Sequence, residues 1–582
     1  MSGTVTTNYS SIEKPWLKYY DEEALSHLEI PDSSIYDYLR ESCNGHLNDV
    51  AIDYLGTKIS FNELIEGIDH VTESFKKLGV RQGDIVAVAL PNIPQNVYAV
   101  YALSSIGAIP DLIDLRSKGK DFALFLNATH AKVAVVCDLF LDGVLEVLPE
   151  TSLETLIVAS PYDSLPSLLK VVMKAKRGRI PRTDSALILK WDAFAKGKFD
   201  EVLADPAIGC DTSQLGDDAA CVFHTSGTTG VPKGVVLPNR SFNAMVEQYR
   251  VCGLGFEKGD SFLNQVPPFL AYNTILALHL PLSLGMKVIM LPAYEPEKFA
   301  SILQTHRPNH IVAGPQCWRN VLENKGVLTD ASFLKTLASG GDSMRVEEKR
   351  AVDKHLRELG CGFQIVEGYG MTEVGSAATT NLPQTNVYGS MGIPLPLTSV
   401  CIYDNEASST KSAGEEGEVC ISGPTVMMGY LANEAETNAV LKRHSDGMSW
   451  IHTGDLGYLD EGGRLYLSGR LKRMIISHED MKIPPFPIEK SILEEPEVVD
   501  CCVVGAPDVE HGHGQVPYAF VALTHELPEA EINTLRRRLA SKLSHGQCPV
   551  GFEAIESLPV TQNGKVDYRR LEQIASERVS HE

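Results

Sequence analysis

The sequence lacks a CxxC pair, an apolar run long enough to span a bilayer, and any excess of positive charge. Its 12 cysteines in 582 residues are not typical of a disulfide framework. The polar start, from Met1 to Ser11, has no apolar core of a secretory signal. A formal net charge of -23 argues against a general nucleic-acid binder, because surplus Lys and Arg hold phosphate backbones. These absences predict a cytoplasmic protein without a membrane span.

What the sequence does contain is the composition of a large folded protein, 43% hydrophobic and 22% charged. Short apolar runs at residues 85–92, 131–136 and 155–159 alternate with helical stretches, which predicts an α/β fold with largely parallel sheets. The character changes at about residues 469–473, where we place a domain boundary. Strands are expected beyond it near 474–476, 499–504 and 518–523, and helices near 488–493 and 531–544.

A basic segment interrupts the first part of the chain. Residues 165–182 mix lysine and arginine with leucine, valine and methionine, as a basic amphipathic helix does. Such a helix can rest on a membrane surface, and peripheral membrane contact is one interpretation. The other is a solvated insertion loop with a short helix.

The strongest local signal follows an apolar strand at residues 221–223. It reads Thr225-Ser-Gly-Thr-Thr-Gly230, then Pro232-Lys233-Gly234 and a further strand. Glycines permit close backbone approach, so that successive N–H groups converge on phosphate oxygens, and Lys233 adds positive charge. The spacing is not that of a Walker A motif. The predicted phosphate-binding residues of this loop are Thr225, Ser226, Gly227, Thr228, Thr229, Gly230 and Lys233.

This string resembles the signature of the adenylate-forming superfamily, which includes acyl-CoA synthetases, nonribosomal-peptide adenylation domains and beetle luciferases. The resemblance implies a large N-terminal domain of layered α/β sheets, residues 1–469, and a small mobile α+β C-terminal domain, residues 474–582. Residues 470–473 then form a hinge at Lys472. It also implies ATP, Mg²⁺ and CoA as reaction partners, with a carboxylic acid first converted to its acyl-adenylate.

Further motifs follow in the order of that superfamily. Ser339-Gly-Gly-Asp342 and Glu367-Gly-Tyr-Gly-Met-Thr-Glu373 resemble its adenine-binding pair, and Thr453-Gly-Asp455 with Arg470 resembles its ribose-binding pair. A carboxylate can accept hydrogen bonds from both hydroxyls of a cis-diol, and a flat aromatic ring can stack on a purine. Mg²⁺ prefers oxygen ligands, which threonine and glutamate side chains provide. The ATP- and AMP-binding residues implied here are Gly341, Asp342, Gly368, Tyr369, Gly370, Met371, Asp455 and Arg470.

The resemblance implies catalytic roles for Lys565, Thr372, Glu373 and Lys233, and a metal site at Glu373 and Thr229. Lys565 stands in the last motif, Leu558-Pro-Val-Thr-Gln-Asn-Gly-Lys565. Adenylation brings two anions together, so positive charge from Lys565, Lys233 and Mg²⁺ would offset their repulsion. The small domain would then rotate about Lys472 and open a route for CoA.

The acid pocket is placed by resemblance around residues 272–282, 312–318 and 339–341, with Tyr272, Gly314, Gly340 and Ala377 as lining residues. Small and apolar neighbours favour an uncharged hydrophobic acid, with a fatty acid first. Aryl, cinnamoyl-like and steroid side-chain acids remain open. An adenylating protein that hands its acyl group to a carrier-protein thiol is the alternative function. A non-catalytic binding relative is disfavoured, because the charged motif residues are all present.

Three positions depart from the superfamily pattern. His224 precedes the phosphate loop where an aromatic or aliphatic residue is common, and Leu270 stands where a histidine is common. Relatives usually have a glycine near Glu479 or Asp480, in the loop that faces the CoA channel. A side chain there narrows that channel and adds negative charge against an anionic cofactor. The acceptor of the acyl group, the oligomeric state and the pathway stay open.

Overall fold

The computed structural model describes residues 13–117, 119–166, 186–199, 215–225, 233–525, 528–560 and 566–581. The basic segment predicted as a membrane-contacting helix or loop lies almost entirely outside these residues. So do Ser226, Gly227, Thr228, Thr229, Gly230 and Lys565. None of the described helices combines the length and the apolar composition that crossing a membrane requires.

Strands make up most of the framework of the described chain. They are β1 (Val50–Tyr54), β2 (Thr57–Ser60), β3 (Ile85–Ala89), β4 (Ile109–Leu112), β5 (Val133–Cys137), β6 (Thr155–Ala159), β7 (Leu187–Lys190), β8 (Ala219–Thr225), β9 (Lys233–Pro238), β10 (Ser261–Asn264), β11 (Lys287–Met290), β12 (His310–Ala313), β13 (Thr336–Ser339), β14 (Val366–Tyr369), β15 (Thr379–Thr380), β16 (Ile393–Pro394), β17 (Ser399–Asp404), β18 (Ser409–Thr410), β19 (Gly417–Ser422), β20 (Gly429–Tyr430), β21 (Leu441–Arg443), β22 (Ser449–Leu459), β23 (Leu465–Arg470), β24 (Ile475–Ile476), β25 (Lys482–Ile483), β26 (Val498–Pro507), β27 (Gln515–Leu523) and β28 (Gly551–Ile555).

Helices cover the sheets. The α-helices are Glu22–Ser26, Ile35–Ser42, Phe61–Lys77, Pro94–Ile106, Lys120–Thr129, Leu141–Val147, Trp191–Phe194, Asn239–Arg250, Leu280–Ser283, Phe299–His306, Pro315–Glu323, Val346–Glu358, Glu434–Val440, Pro485–Leu493, Glu529–Lys542 and Tyr568–His581. Short 3₁₀ turns are Pro15–Tyr19, Asp138–Phe140, Leu148–Glu150, Pro296–Lys298, Thr372–Val374, Leu471–Arg473 and His545–Gln547, and Asn273–His279 is a π-helix.

Three sheets form the part before the predicted hinge. Sheet 1 has the order β16-β15-β14-β13-β12-β10-β11-β1-β2, and it is parallel from β14 to β1. Sheet 2 has the order β20-β9-β8-β4-β3-β5-β6-β7, and it is parallel from β8 to β7. Sheet 3 has the order β18-β17-β19-β22-β21, with β23 paired to β22, and is antiparallel. The layered α/β prediction is therefore confirmed.

Two helices show why these residues fold as they do. The helix Phe61–Lys77 begins at a capping box, in which Ser60 and Glu63 bond each other's backbone N–H groups. It buries an apolar stripe that includes Leu64, Ile68 and Phe75. The helix Pro94–Ile106 is instead buried along nearly its whole length, as its continuous run of small and apolar residues predicts.

The part after the predicted hinge has its own core around the sheet β26-β27-β28. Cys501 and Val503 of β26 belong to one buried cluster, while Cys502 and Val504 belong to another on the opposite face. This alternation is the two-residue period of a strand covered on both faces. The adjacent cysteines therefore serve packing, as their apolar surroundings predict, and each is a free thiol.

Several elements of this C-terminal part were not predicted from the sequence, namely β25, β28, the 3₁₀ turn His545–Gln547 and the helix Tyr568–His581. The strand β28 and the helix Tyr568–His581 close the sheet, but neither has a strong pattern. The helix is rich in charged residues, and its apolar contacts come from a few side chains such as Leu571 and Ala575. The other predicted strands and helices after the hinge are confirmed within a few residues.

Candidate active site

A buried carboxylate lies where sheet 3 meets the end of β14. Asp455 and Arg470 are directly opposite each other in the antiparallel pair β22–β23. The Arg470 Nε donates to Asp455 Oδ1 at 2.8 Å, and the Tyr369 hydroxyl donates to Asp455 Oδ2 at 2.6 Å. Because both oxygens are already oriented and keep further lone pairs, Asp455 is placed to accept hydrogen bonds from neighbouring hydroxyls. The structure thus brings together three predicted nucleotide-binding residues.

The loop that carries Tyr369 depends on two glycines. A Cβ atom at Gly370 would lie 2.0 Å from the carbonyl oxygen of Ser376, and one at Gly368 would lie 2.5 Å from that of Thr379. The sequence suggested that these glycines let the backbone approach a purine. The structure supplies a second reason, since they let the loop pack against the next strand and hold Tyr369, Met371 and Thr372 in order.

A second set of contacts connects Lys233 to Glu373 through the side chain of Tyr430. The Lys233 Nζ lies 4.9 Å from the centre of the Tyr430 ring, and the Tyr430 hydroxyl donates to Glu373 Oε1 at 2.8 Å. Lys233 also donates to Glu436, and this bond lowers the pKa of the Glu436 carboxyl. Tyr430 and Glu436 were not predicted from the sequence, since a tyrosine after glycine and a helical glutamate carry no distinctive signal.

The ends of the predicted phosphate loop are fixed even though its centre lies outside the described residues. Thr225 pairs directly with Lys233 across the antiparallel strands β8 and β9. The two strand ends that flank the predicted loop therefore lie side by side in sheet 2.

His224 has a packing role beside this turn. Its Nε2 lies 2.5 Å from Asp111 Oδ1, and the Phe125 ring meets it edge-on with centroids 4.5 Å apart. Asp111 is fully buried on β4, so the histidine ties β8 to its parallel neighbour. A buried carboxylate thus accompanies the histidine that replaces the usual aromatic or aliphatic residue, while Asp111 Oδ2 and His224 Nδ1 are buried without a partner among the described residues.

The residues predicted for the acid pocket converge in part. A Cβ at Gly340 would lie 3.9 Å from the Tyr272 ring and from Val312, and a Cβ at Gly314 would lie 3.4 Å from the Tyr294 hydroxyl. Tyr272 and Tyr294 therefore face the two small glycines. The buried Tyr272 hydroxyl has no hydrogen-bond partner among the described residues. Tyr294 was not predicted.

Two further pocket positions lie at its border. Ala377 is buried in the main core near Tyr369, on the segment against which the glycine loop packs. Leu270, the position where a histidine is common, is partly buried against the same core. Both are apolar, so the structure adds no charged group at either position.

The second half of the predicted adenine pair has a conformation that requires glycine. Gly341 has a φ of 86°, in the left-handed region, while the neighbouring Asp342 is exposed and accepts the Ser343 N–H at 2.8 Å. Burial raises the pKa of Tyr568 to about 12, and the charge of Asp342 adds to this rise. Tyr568 belongs to the C-terminal part and lies three residues after Lys565 in the sequence.

The predicted hinge residue also lies near Glu436. Lys472 is in the 3₁₀ turn Leu471–Arg473, and its charge adds to that of Lys233 in lowering the pKa of Glu436. Two of the contacts between the C-terminal part and the rest are the Arg345 Nη1, which donates to the Val499 carbonyl at 2.7 Å, and the Lys482 Nζ, which donates to Glu406.

Glu373 fits the predicted magnesium site as far as it is described. Its carboxylate is nearly buried, one oxygen is held by Tyr430, and a carboxylate has further lone pairs for a hard cation. Thr229, the other predicted ligand, lies outside the described residues.

Comparison with known families gives two matches. The family model of AMP-binding enzymes matches residues 39–431, and that of the AMP-binding enzyme C-terminal domain matches residues 487–565. The second match begins beyond the predicted hinge.

Curated relatives cover most of the chain. A long-chain-fatty-acid–CoA ligase of Bacillus subtilis is 28% identical over 565 residues, 96% of this chain and 98% of its own length. A probable 4-coumarate–CoA ligase 1 of Dictyostelium discoideum is 28% identical, over 87% of this chain and 88% of its own.

Solved structures share the fold. The anthranilate CoA ligase AuaEII in complex with anthranoyl-AMP has a TM-score of 0.79 at 21% identity and covers 96% of this chain and 99% of its own. ATP-bound MatB from Rhodopseudomonas palustris has a TM-score of 0.77 at 23% identity, covering 93% and 99%.

Proposed function

Since this chain belongs to the family of AMP-binding enzymes and is an AMP-forming acid–CoA ligase, we propose that it activates a hydrophobic carboxylic acid, with a fatty acid first. The acid becomes acyl-AMP with release of pyrophosphate, and the acyl group then passes to the CoA thiol with release of AMP. Two charged sites carry this proposal. In the first, Asp455 is bonded by Tyr369 and Arg470. In the second, Lys233 lies over the Tyr430 ring, and the Tyr430 hydroxyl bonds Glu373.

Each prepared group has a distinct task in the proposed reaction. Asp455 would accept hydrogen bonds from the ribose hydroxyls of ATP. Lys233 would move its ammonium group from Glu436 to a phosphate, because a phosphate carries more charge than a half-exposed carboxylate. Glu373, with Thr229, would hold Mg²⁺, which supplies charge neutralisation at the phosphates. Lys565 would approach the α-phosphate and the acid carboxylate when the C-terminal domain closes.

The reaction then needs no covalent bond to the protein. A carboxylate oxygen of the acid attacks the α-phosphorus, and the bond to the leaving pyrophosphate breaks. In the second step the CoA sulfur attacks the acyl carbon, its proton is lost, and the bond to AMP breaks. Both steps are served by fixed positive charge where negative charge develops.

A fatty acid is favoured by the Bacillus subtilis relative, which is similar over nearly the whole chain and is named for long-chain fatty acids. Small and apolar positions at Gly314, Gly340 and Ala377 leave room for an uncharged acid. None of the predicted lining positions carries a charge to bind an ammonium group.

An aryl acid is the second candidate, and a specific observation favours it. The Tyr272 hydroxyl is buried without a partner among the described residues, and the Tyr294 hydroxyl lies 3.4 Å from the position of a Cβ at Gly314. A buried hydroxyl without a partner costs free energy, so a polar substituent on an aromatic acid would offset that cost. The Dictyostelium relative is named for 4-coumarate.

The direct test is acyl-CoA formation across a panel of acids. We expect palmitate or a medium-chain fatty acid, with ATP, Mg²⁺ and CoA, to give acyl-CoA and AMP by mass spectrometry, and Asp455→Ala to give neither. A higher kcat/KM for 4-coumarate than for any fatty acid would move the assignment to the second candidate.

Other results would change the proposal further. Acyl-AMP trapped as hydroxamate, without transfer to CoA but with transfer to a holo carrier protein, would establish the alternative acceptor. If no acid gave ATP-dependent hydroxamate, the proposed function would be wrong. The cytoplasmic location and membrane contact through residues 165–182 belong to the same proposal, and co-sedimentation with anionic vesicles tests the latter.

A further inference from the structure

Potential metal ligands come together on sheet 3, and none of them is among the predicted nucleotide-binding residues. Cys401 of β17 is directly opposite Cys420 of β19, and Cys420 is directly opposite His452 of β22. These three side chains therefore share one face of three adjacent strands. His444 follows β21, and its Nε2 lies 2.9 Å from the Nε2 of His452.

The ligand atoms are close enough to share one ion. The ring nitrogens of His444 and His452 and the Cys420 sulfur all lie within 4.8 Å of one another. Cys401 is directly opposite Cys420 in the β17–β19 pair, so it is the next potential ligand on the same face of the sheet. Tetrahedral zinc, with bonds of about 2.0 to 2.3 Å, separates its ligands by about 3.3 to 3.8 Å, so small side-chain movements suffice.

Both imidazoles are already oriented. The Nδ1–H of His452 donates to Glu418 Oε2 at 2.7 Å, which leaves the lone pair on Nε2 facing His444 and the thiols. A carboxylate behind a histidine is the usual support of a metal-ligating imidazole. The His444 ring is stacked between Tyr403 and Trp450, with centroid distances of 4.3 and 5.4 Å.

We propose that Cys401, Cys420, His444 and His452 bind one zinc ion. Two thiolates and two imidazoles in a tetrahedral arrangement are the ligand set of structural zinc sites. Both cysteines and His452 are buried, whereas His444 is half-buried and gives a route for the ion. With four protein ligands the site has no open position, so its role is structural rather than catalytic.

The site lies next to the ribose-binding carboxylate through a short chain of bonds. Glu418 supports His452 through Oε2 and accepts the Gly454 N–H through Oε1 at 2.9 Å. Gly454 directly precedes Asp455. Zinc binding would therefore hold the strand that presents Asp455, and loss of zinc is expected to weaken ATP binding as well as thermal stability.

The experiment measures metal in the untagged full-length chain, purified with a thiol reductant and without chelators, by inductively coupled plasma mass spectrometry. We expect about one zinc ion per chain, and less than about 0.2 in Cys420→Ser and in His452→Gln. The matched control is His511→Gln, in a second His–Asp cluster formed with His478 and Asp508, which should keep its zinc.

Cobalt(II) provides a readout that does not depend on the stability of the variants. The zinc-free wild-type chain, titrated with cobalt(II), should show the visible and thiolate charge-transfer bands of a tetrahedral sulfur-ligated site, and added zinc should remove them. A wild-type chain that retains less than about 0.2 zinc and gives no such bands would overturn the proposal. So would zinc that persists in Cys420→Ser but is lost in His511→Gln, or a Cys401–Cys420 disulfide in the freshly purified protein. Each of these results stands whether or not the proposed ligase reaction is found.

Discussion

At the scale of single residues, a buried ion pair supports the glycine loop from behind. The Lys349 Nζ lies 3.1 Å from Glu367 Oε2, with side-chain exposures of 1% and 4%. Glu367 is the last residue of β14 that pairs with β13, and Gly368 follows it directly. The Lys349–Glu367 ion pair therefore adjoins the predicted nucleotide-binding loop. Burial raises the pKa of Glu367, while the charge of Lys349 acts in the opposite direction.

We therefore expect Lys349→Met to lower the free energy of unfolding by about 3 to 5 kcal/mol, because it leaves a buried carboxylate without its partner. Adding Glu367→Gln should restore most of that loss, since the remaining group is neutral. Urea unfolding of the two variants and the parent measures both effects. If Lys349→Met alone were as stable as the parent, the ion pair would contribute nothing to the free energy of unfolding.

Also at this scale, Tyr430 contacts both Lys233 and Glu373, and its role was not predicted from the sequence. Removing its hydroxyl in Tyr430→Phe leaves the ring under Lys233 but takes the hydrogen bond from the carboxylate. We expect kcat/KM for MgATP to fall about tenfold, equivalent to about 1.4 kcal/mol. Tyr458→Phe, which alters a tyrosine stacked on Tyr466 in sheet 3, is the control and should leave the rate unchanged. Equal rates for Tyr430→Phe and the parent would remove Tyr430 from the site.

At the scale of elements, the loop at residues 477–482 explains a departure that the sequence only noted. Asp480 has a φ of 57°, in the left-handed region that favours glycine. This backbone conformation fits the glycine that the family resemblance implies near Glu479 or Asp480, and Asp480 adds a carboxylate there.

We expect Asp480→Gly to lower the KM for CoA by about two- to fivefold, because an exposed like charge costs up to about 1 kcal/mol. The rate of adenylation should not change. Asp480→Asn separates charge from size, since it keeps the side chain and loses the charge. A change in adenylation as large as the change in KM would place Asp480 in the first step instead.

Elements were predicted from sequence where their patterns were strong. The strands at residues 85–89 and 155–159 are continuous apolar runs, and the parallel sheets confirm them. The register that sets Asp455 opposite Arg470 was not readable, because pairing between distant strands leaves no local pattern. For the same reason Tyr430, Tyr294 and the cross-strand row of Cys401, Cys420 and His452 emerged only from the structure.

At the scale of the whole molecule, we expect two domains to share one reaction. The C-terminal part has separate cores on both faces of its sheet, and we expect it to move as a unit about residues 470–473. Its last helix begins at Tyr568, and the charge of Asp342 contributes to the raised pKa of the Tyr568 hydroxyl. Family motifs predicted this division, whereas the domain contact at Arg345 and Val499 carries no sequence signal.

We propose that Lys565 enters this site to stabilise the transfer of the adenylyl group. The most direct test of this proposal is acid-dependent exchange of pyrophosphate into ATP, measured for the parent and for Lys565→Ala, alongside ATP binding by calorimetry. We predict exchange in the parent, a loss of at least about 100-fold in the variant, and ATP affinities within about twofold. Undiminished exchange in the variant would contradict the account.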